Sequence, residues 1–180
     1  MAKKRLAVFI SGNGTNLNVI LERKTELQSL LVICNNPRAY GIERAKEHGV
    51  PFWVLEKPIP WDSLHERLEK ENLDGIFLAG FMKVIPAEFV KKWQGKMFNL
   101  HPSLLPHYKG LNSIERAFED GADIGVSIHY VTAEVDAGEV LLQDIAVPSH
   151  QIPTMSLEEA TTKTHECEHR LVGKWMDQWL

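Results

Sequence analysis

Four short runs of mainly aliphatic residues, Leu6–Ile10, Leu30–Cys34, Phe52–Leu55 and Gly75–Ala79, alternate with three helix-like stretches, Asn16–Gln28, Ile42–His48 and Trp61–Glu71. The apolar runs do not alternate strictly with polar residues, which suits strands covered on both faces. A mostly parallel sheet with helices on both faces is the economical solution, since helical crossovers join parallel neighbours. Right-handed crossovers then bring the loops that follow the strands to one edge of the sheet. Ligands of such sheets bind outside the carboxyl ends of the strands, so functional residues are sought at that edge.

The second half reads differently. Met97–Leu100 has the composition of a further strand and runs into His101-Pro102-Ser103-Leu104-Leu105-Pro106. Gly125–Val131 and Glu139–Val147 follow, separated by only the seven residues Thr132 to Gly138. So short a gap favours a late antiparallel hairpin over another crossover. From Ser156 the chain reads as one helix, with Leu157, Ala160, Thr164, Cys167, Leu171 and Trp175 on one face and Ser156 with Glu159 as a capping box. No repeat or low-complexity linker interrupts the 180 residues, so one α/β domain over 1–180 is expected.

Composition narrows the class. Hydrophobic residues make up 44% and charged residues 24%, the balance of a soluble globular protein. The length suffices for a core without disulfides or a structural metal. A net charge of -4 argues against nucleic acid held by general electrostatics, and an anionic ligand would need local donors. Cys34 and Cys167 make no metal-ligand spacing and lie in apolar stretches, so buried free thiols in a reducing compartment are expected. After the basic start Lys3-Lys4-Arg5, the apolar run Leu6 to Ile10 is too short for an export signal. No stretch suits a bilayer span. These features fit a cytoplasmic protein with no membrane partner; whether it is a monomer or homodimer is left open by the sequence.

The loop Ser11-Gly12-Asn13-Gly14-Thr15-Asn16 joins the first strand to the first helix. Its glycines allow close backbone approach, and free N–H groups at a helix start favour phosphate. The same residues also make a tight strand-to-helix turn with Thr15 or Asn16 as N-cap. Neither the dinucleotide fingerprint nor the Walker pattern is present.

Asn99 and His101 lie two residues apart on one strand, so their side chains share a face. An amide donor beside an imidazole suits a developing oxyanion, and the imidazole can also carry a proton near neutrality. A strand-end histidine bonded in a turn is the alternative. Asp136, in the loop Thr132 to Gly138, can fold back over that strand end and hold the imidazole, or serve simply as a turn former. Leu78-Ala79-Gly80-Phe81-Met82-Lys83-Val84-Ile85 reads either as core or as an apolar wall for a flat ring system.

Taken together, Ile-Ser-Gly-Asn-Gly-Thr-Asn-Leu at 10–17, Leu-Ala-Gly-Phe-Met at 78–82 and Asn-Leu-His-Pro-Ser-Leu-Leu-Pro at 99–106 resemble the glycinamide ribonucleotide formyltransferases of purine biosynthesis. The likeness continues through Ser127-Ile128-His129-Tyr130-Val131-Thr132, Asp136-Ala137-Gly138 and Glu168-His169-Arg170-Leu171. It implies a Rossmann-like formyltransferase domain whose N-terminal half binds the ribonucleotide and whose C-terminal half is catalytic and folate-binding. By the same resemblance, Asn99, His101 and Asp136 are the catalytic residues. Asn13, Gly14, Thr15, Asn16, His165 and Glu168 would bind glycinamide ribonucleotide. Met82, Lys83, Val84, Ile85 and Asn99, with Thr132, Ala133, Glu134, Val135 and Asp136, would bind the co-substrate 10-formyltetrahydrofolate. No metal is implied.

Some segments depart from the family pattern. Glu56 to Asp74 is short and lacks the Ser-Arg of many relatives, so no folate-contacting arginine carries over. After Gly110-Leu111, where relatives often have histidines, stands Asn112-Ser113-Ile114. A 10-formyltetrahydrofolate hydrolase, another amine formyltransferase and a catalytically idle phosphate-binding module are the competing readings. The hydrolase normally adds an N-terminal regulatory domain and the tRNA formyltransferase a C-terminal RNA-binding one.

Overall fold

A computed structural model describes residues 2–180. Along the chain run β1 (Arg5–Ile10), α1 (Thr15–Glu22), β2 (Ser29–Cys34), α2 (Tyr40–Glu47), β3 (Phe52–Val54), α3 (Trp61–Lys70), β4 (Gly75–Leu78), α4 (Ala87–Lys92), β5 (Met97–His101), α5 (Ser113–Glu119), β6 (Ile124–Tyr130), β7 (Val140–Val147) and α6 (Leu157–Trp179). The strands form one sheet in the order β3-β2-β1-β4-β5-β6-β7. β1 to β5 pair in parallel, whereas β6 is antiparallel to both β5 and β7. The parallel half and the late hairpin are those the sequence pattern predicts.

Strand β1 shows why its residues are continuously apolar. Leu6, Val8 and Ile10 pack with α1, α2 and α6 on one face, while Ala7 and Phe9 pack with α3 and α4 on the other. Both sets are withdrawn from water, so a period of two persists without any polar position. Helix α6 docks through Trp175, whose ring centroid lies 4.4 Å from Phe77 and 5.1 Å from Phe98. Such aromatic pairs add about 0.5–1.5 kcal/mol each beyond their buried area.

The helix boundaries differ from the sequence pattern in instructive places. The stretch Asn16–Gln28 ends its α-helix at Glu22 and turns through Lys24–Glu26. At Gln28 the chain is on the point of entering β2, its N–H donating to Lys4 O at 2.8 Å. Helices α4 and α5 went unpredicted, because six and seven residues carry too little periodicity to read. The N-cap of α1 is Gly14, at φ 73°, with no side-chain cap from Thr15 or Asn16. The Ser156–Glu159 capping box is present at α6. On its buried face Leu157 is the exception, 37% exposed where Ala160, Thr164, Cys167, Leu171 and Trp175 are buried.

Strand order reverses at β1, whose neighbours are β2 and β4. The loops after β1 and β4 therefore part at this point and open a crevice. They are tied across its floor by the Met82 N–H, which donates to Ser11 Oγ at 2.7 Å.

Candidate functional site

The site is built on the end of β5. Asn99 pairs with His129 and His101 with Ser127 across the β5–β6 ladder. The loop after β6 folds back, as its length allows, and brings Asp136 between them. Asp136 Oδ1 lies 3.3 Å from Asn99 Nδ2 and 3.5 Å from His129 Nε2, and Oδ2 lies 3.4 Å from His101 Nδ1. Asp136 sits in the left-handed region at φ 50°, a conformation Asp tolerates better than most residues. It is thus both the turn residue and the carboxylate of the cluster.

Hydrogen-bond bookkeeping assigns the protons. His129 Nδ1 faces the Tyr130 carbonyl at 2.8 Å, so it carries a hydrogen. Its Nε2 then accepts from Asn99 Nδ2 at 3.1 Å. Both His101 nitrogens face acceptors, Nδ1 the Asp136 carboxylate at 3.4 Å and Nε2 the Tyr108 carbonyl at 3.0 Å. The doubly protonated ring is the form these partners satisfy. Burial pushes the Asp136 carboxyl up, but the Gly110 N–H bond and the His101 imidazole beside it outweigh that and bring the group down to about 2. Among these contacts the Gly110 N–H has the shortest geometry, at 2.8 Å.

A buried polar lattice stiffens the loop that carries Tyr108 and Gly110. Ser127 Oγ donates to Ser103 O at 2.6 Å and accepts from the Leu105 N–H at 3.2 Å and from Gln143 Nε2 at 2.8 Å. Ser113 Oγ closes the far side onto Pro102 O at 2.9 Å. Because Ser127 and Gln143 stand on β6 and β7, the hairpin and the proline-rich loop hold one another.

The cluster opens into a cleft of about 550 Å³ along the carboxyl edge. Asn16, Met82, Lys83, Val84, Ile85, Asn99, His101, Thr132 to Asp136 and Glu168 all line it. Met82 and Val84 are 65% and 81% exposed and form cleft wall, whereas Leu78 and Ala79 at the head of the segment are buried core. Glu168, 7% exposed on α6, accepts from Asn16 Nδ2 at 2.9 Å. Burial raises its pKa, opposed by the Asn16 hydrogen bond and the His165 charge. Asn13, Gly14, Thr15 and His165 are not part of that lining; Asn13 and His165 are exposed. No group of three or more His, Cys, Asp or Glu side chains could hold a metal ion among the described residues.

Sequence reasoning missed His129 and Gly110 as members of the cluster. His129 carried a signal, since it opposes Asn99 once β6 pairs with β5; Gly110 carried none. A smaller cavity of about 330 Å³ adjoins the cleft, lined by Asn35, Lys57, Trp61 and the shared Lys83 and Val84. Both thiols are free and buried, and burial raises their pKa. No helix among the described residues is long and apolar enough to cross a membrane.

Residues 4–175 match the formyl transferase family. Phosphoribosylglycinamide formyltransferase of Haemophilus influenzae is 39% identical, over 97% of this chain and 88% of that protein. Trifunctional purine biosynthetic protein adenosine-3 of Bos taurus is 37% identical over 94% of this chain, which spans only 18% of that longer protein. Among solved structures, phosphoribosylglycinamide formyltransferase from Streptococcus pneumoniae superimposes with a TM-score of 0.88 at 34% identity, over 98% of this chain and 99% of that one.

Proposed function

This chain belongs to the formyl transferase family and, within it, to the phosphoribosylglycinamide formyltransferases; from that premise we propose that it transfers the formyl group of 10-formyltetrahydrofolate to the amine of glycinamide ribonucleotide. The observation that carries this reading is the convergence of Asn99 and His101 on Asp136, at 3.3 and 3.4 Å, on the wall of a 550 Å³ cleft. A phosphate-binding module needs none of those three side chains. We assign ribonucleotide binding to the N-terminal half, through Asn13 to Asn16 with His165 and Glu168 from α6. The C-terminal half is assigned the chemistry and the folate ring. Two buried free thiols suit a cytoplasmic setting.

In the proposed reaction both substrates are bound at once. The acceptor amine attacks the formyl carbon, forming a C–N bond and placing negative charge on the formyl oxygen. Asn99 Nδ2 and the protonated His101 stabilise that charge. Collapse breaks the bond from carbon to N10 of the folate, and the proton lost by the attacking nitrogen is delivered to N10. Asp136 stays ionised throughout and orients His101 through Nδ1.

The resting hydrogen bonds are compatible with these roles but must be exchanged. His101 Nε2 donates to the Tyr108 carbonyl, and the second Asn99 hydrogen lies on Asp136 Oδ1 at a long 3.3 Å. The Asn99 contact is long and the Tyr108 carbonyl is a neutral acceptor, so an oxyanion can displace each, and the interaction strengthens only as charge develops. Lys57 and Lys83, which line the adjoining cavity, supply positive charge for the folate's glutamate carboxylates in place of the absent arginine.

The test is deformylation of 10-formylfolate followed by absorbance, with and without glycinamide ribonucleotide. Deformylation that depends on the ribonucleotide and yields formylated product supports the transferase. Deformylation without it identifies a hydrolase, and no reaction in either condition overturns the proposal.

A further inference from the structure

The loop between β1 and α1 has its acceptors tied down from the side of α2. Asn36 Nδ2 donates to Ser11 O at 3.3 Å and the Gly41 N–H donates to Gly12 O at 3.1 Å. Arg44 completes the set as a fork, with Nε on Asn13 O at 2.9 Å and Nη2 on Asn13 Oδ1 at 3.1 Å. The Gly14 carbonyl is taken within α1 by the Asn18 N–H at 2.9 Å. Every carbonyl from Ser11 to Gly14 therefore faces a donor. The N–H groups of Gly12, Asn13, Gly14 and Thr15 meet no protein acceptor among the described residues.

The contact between loop and helix is too close to slide. A Cβ on Gly14 would stand 2.8 Å from Gly41 Cα, and one on Gly41 would stand 2.4 Å from Ile10 Cδ1. The guanidinium itself rests over the Tyr40 ring, 5.0 Å from its centroid.

We infer that Arg44 is a positioning residue for the phosphate of the acceptor, an inference that rests on the ribonucleotide reading above. An asparagine amide offers an acceptor at one end and donors at the other. With its oxygen held by Arg44, Asn13 can present only its NH₂ outward, alongside the free loop N–H groups. Without that hold the amide can turn and set its oxygen against the anion. Two N–H bonds in fixed relative geometry are a property of guanidinium that an ammonium does not share. General attraction by a positive charge is a different effect, and lysine would preserve it.

The experiment compares wild type, Arg44→Lys and Arg44→Gln with two acceptors, glycinamide ribonucleotide and its dephosphorylated counterpart glycinamide riboside. Absence of turnover by the wild type with the ribonucleotide overturns the acceptor reading, and this inference with it. The expected result is a KM for the ribonucleotide raised about ten-fold in both variants, with kcat and the donor KM near wild type. The loss is confined to the phosphorylated acceptor, so kcat/KM for the riboside holds. Full rescue by Arg44→Lys overturns the fork in favour of simple charge. Equal losses on both acceptors overturn it in favour of a merely structural role. Inorganic phosphate gives a readout that does not need turnover: it is expected to raise the melting temperature of the wild type more than that of Arg44→Lys. An equal rise in both overturns the inference.

Discussion

Asn99 and His129 face one another across the β5–β6 ladder, and the 3.1 Å contact from Asn99 Nδ2 to His129 Nε2 fixes which way the amide points. His129 can accept that bond because its Nδ1 hydrogen is held by the Tyr130 carbonyl. On the proposed assignment the histidine acts through Asn99. His129→Ala is expected to lower kcat about ten-fold, the effect of losing one orienting hydrogen bond, while both substrates still bind. Steady-state kinetics on a variant shown by melting to be folded checks this, and wild-type kcat would refute it.

Removing the groups assigned to the oxyanion should cost more. His101→Ala and Asn99→Ala are each expected to reduce kcat by on the order of 100-fold or more. Substrate dissociation constants, measured by titration, should change little. Normal turnover in either purified variant would falsify the catalytic assignment.

The Asp136 carboxyl has a folded pKa of about 2 against an ordinary 3.8. A depressed carboxyl stabilises the fold above its unfolded pKa, and that contribution is lost as pH falls through the folded value. In the window from 3.8 to about 2 the unfolded chain binds the proton first, so stability declines there with falling pH. Asp136→Asn lacks this contribution. Denaturant titrations should show the two proteins differing least at the acid end of the window and most above it. A gap that is constant with pH would contradict the assignment.

Glu168 works in the opposite sense. Burial raises its carboxyl above 4.5 despite the Asn16 hydrogen bond. Its favourable contribution is present below that value and is lost as pH rises through the folded pKa. Glu168→Gln keeps an oxygen for Asn16 and removes the buried charge. The variant should melt higher than wild type near neutrality while its KM for glycinamide ribonucleotide rises. A lower melting temperature together with an unchanged KM would count against both halves of the argument.

Gly138 closes the loop that carries Asp136. A Cβ there would lie 1.7 Å from the Tyr130 carbonyl oxygen, so backbone must move. Gly138→Ala is expected to destabilise by about 1–3 kcal/mol, as overpacking does, and to lower kcat by displacing Asp136. Denaturant melts and turnover on the same preparation test the two effects, and a variant with wild-type stability and rate would show that the loop absorbs the methyl.

The sequence by itself determined the parallel first half, the hairpin and the capped last helix, because hydrophobic period and turn chemistry are local properties. It also placed Asn99 and His101 on one strand face, which follows from a spacing of two. The ends of α1 and the short helices α4 and α5 lay beyond it, since sheet entry at Ser29 and packing overrule weak local preference. Only the tertiary structure decided that Asp136 stands between two imidazoles, that Gly110 supplies its best hydrogen bond, and that Arg44 holds Asn13 from behind. Each of those contacts joins residues from separate elements, at distances set by strand order and loop closure. Residue type announces what a side chain can do, and the sheet decides which partner it does it with.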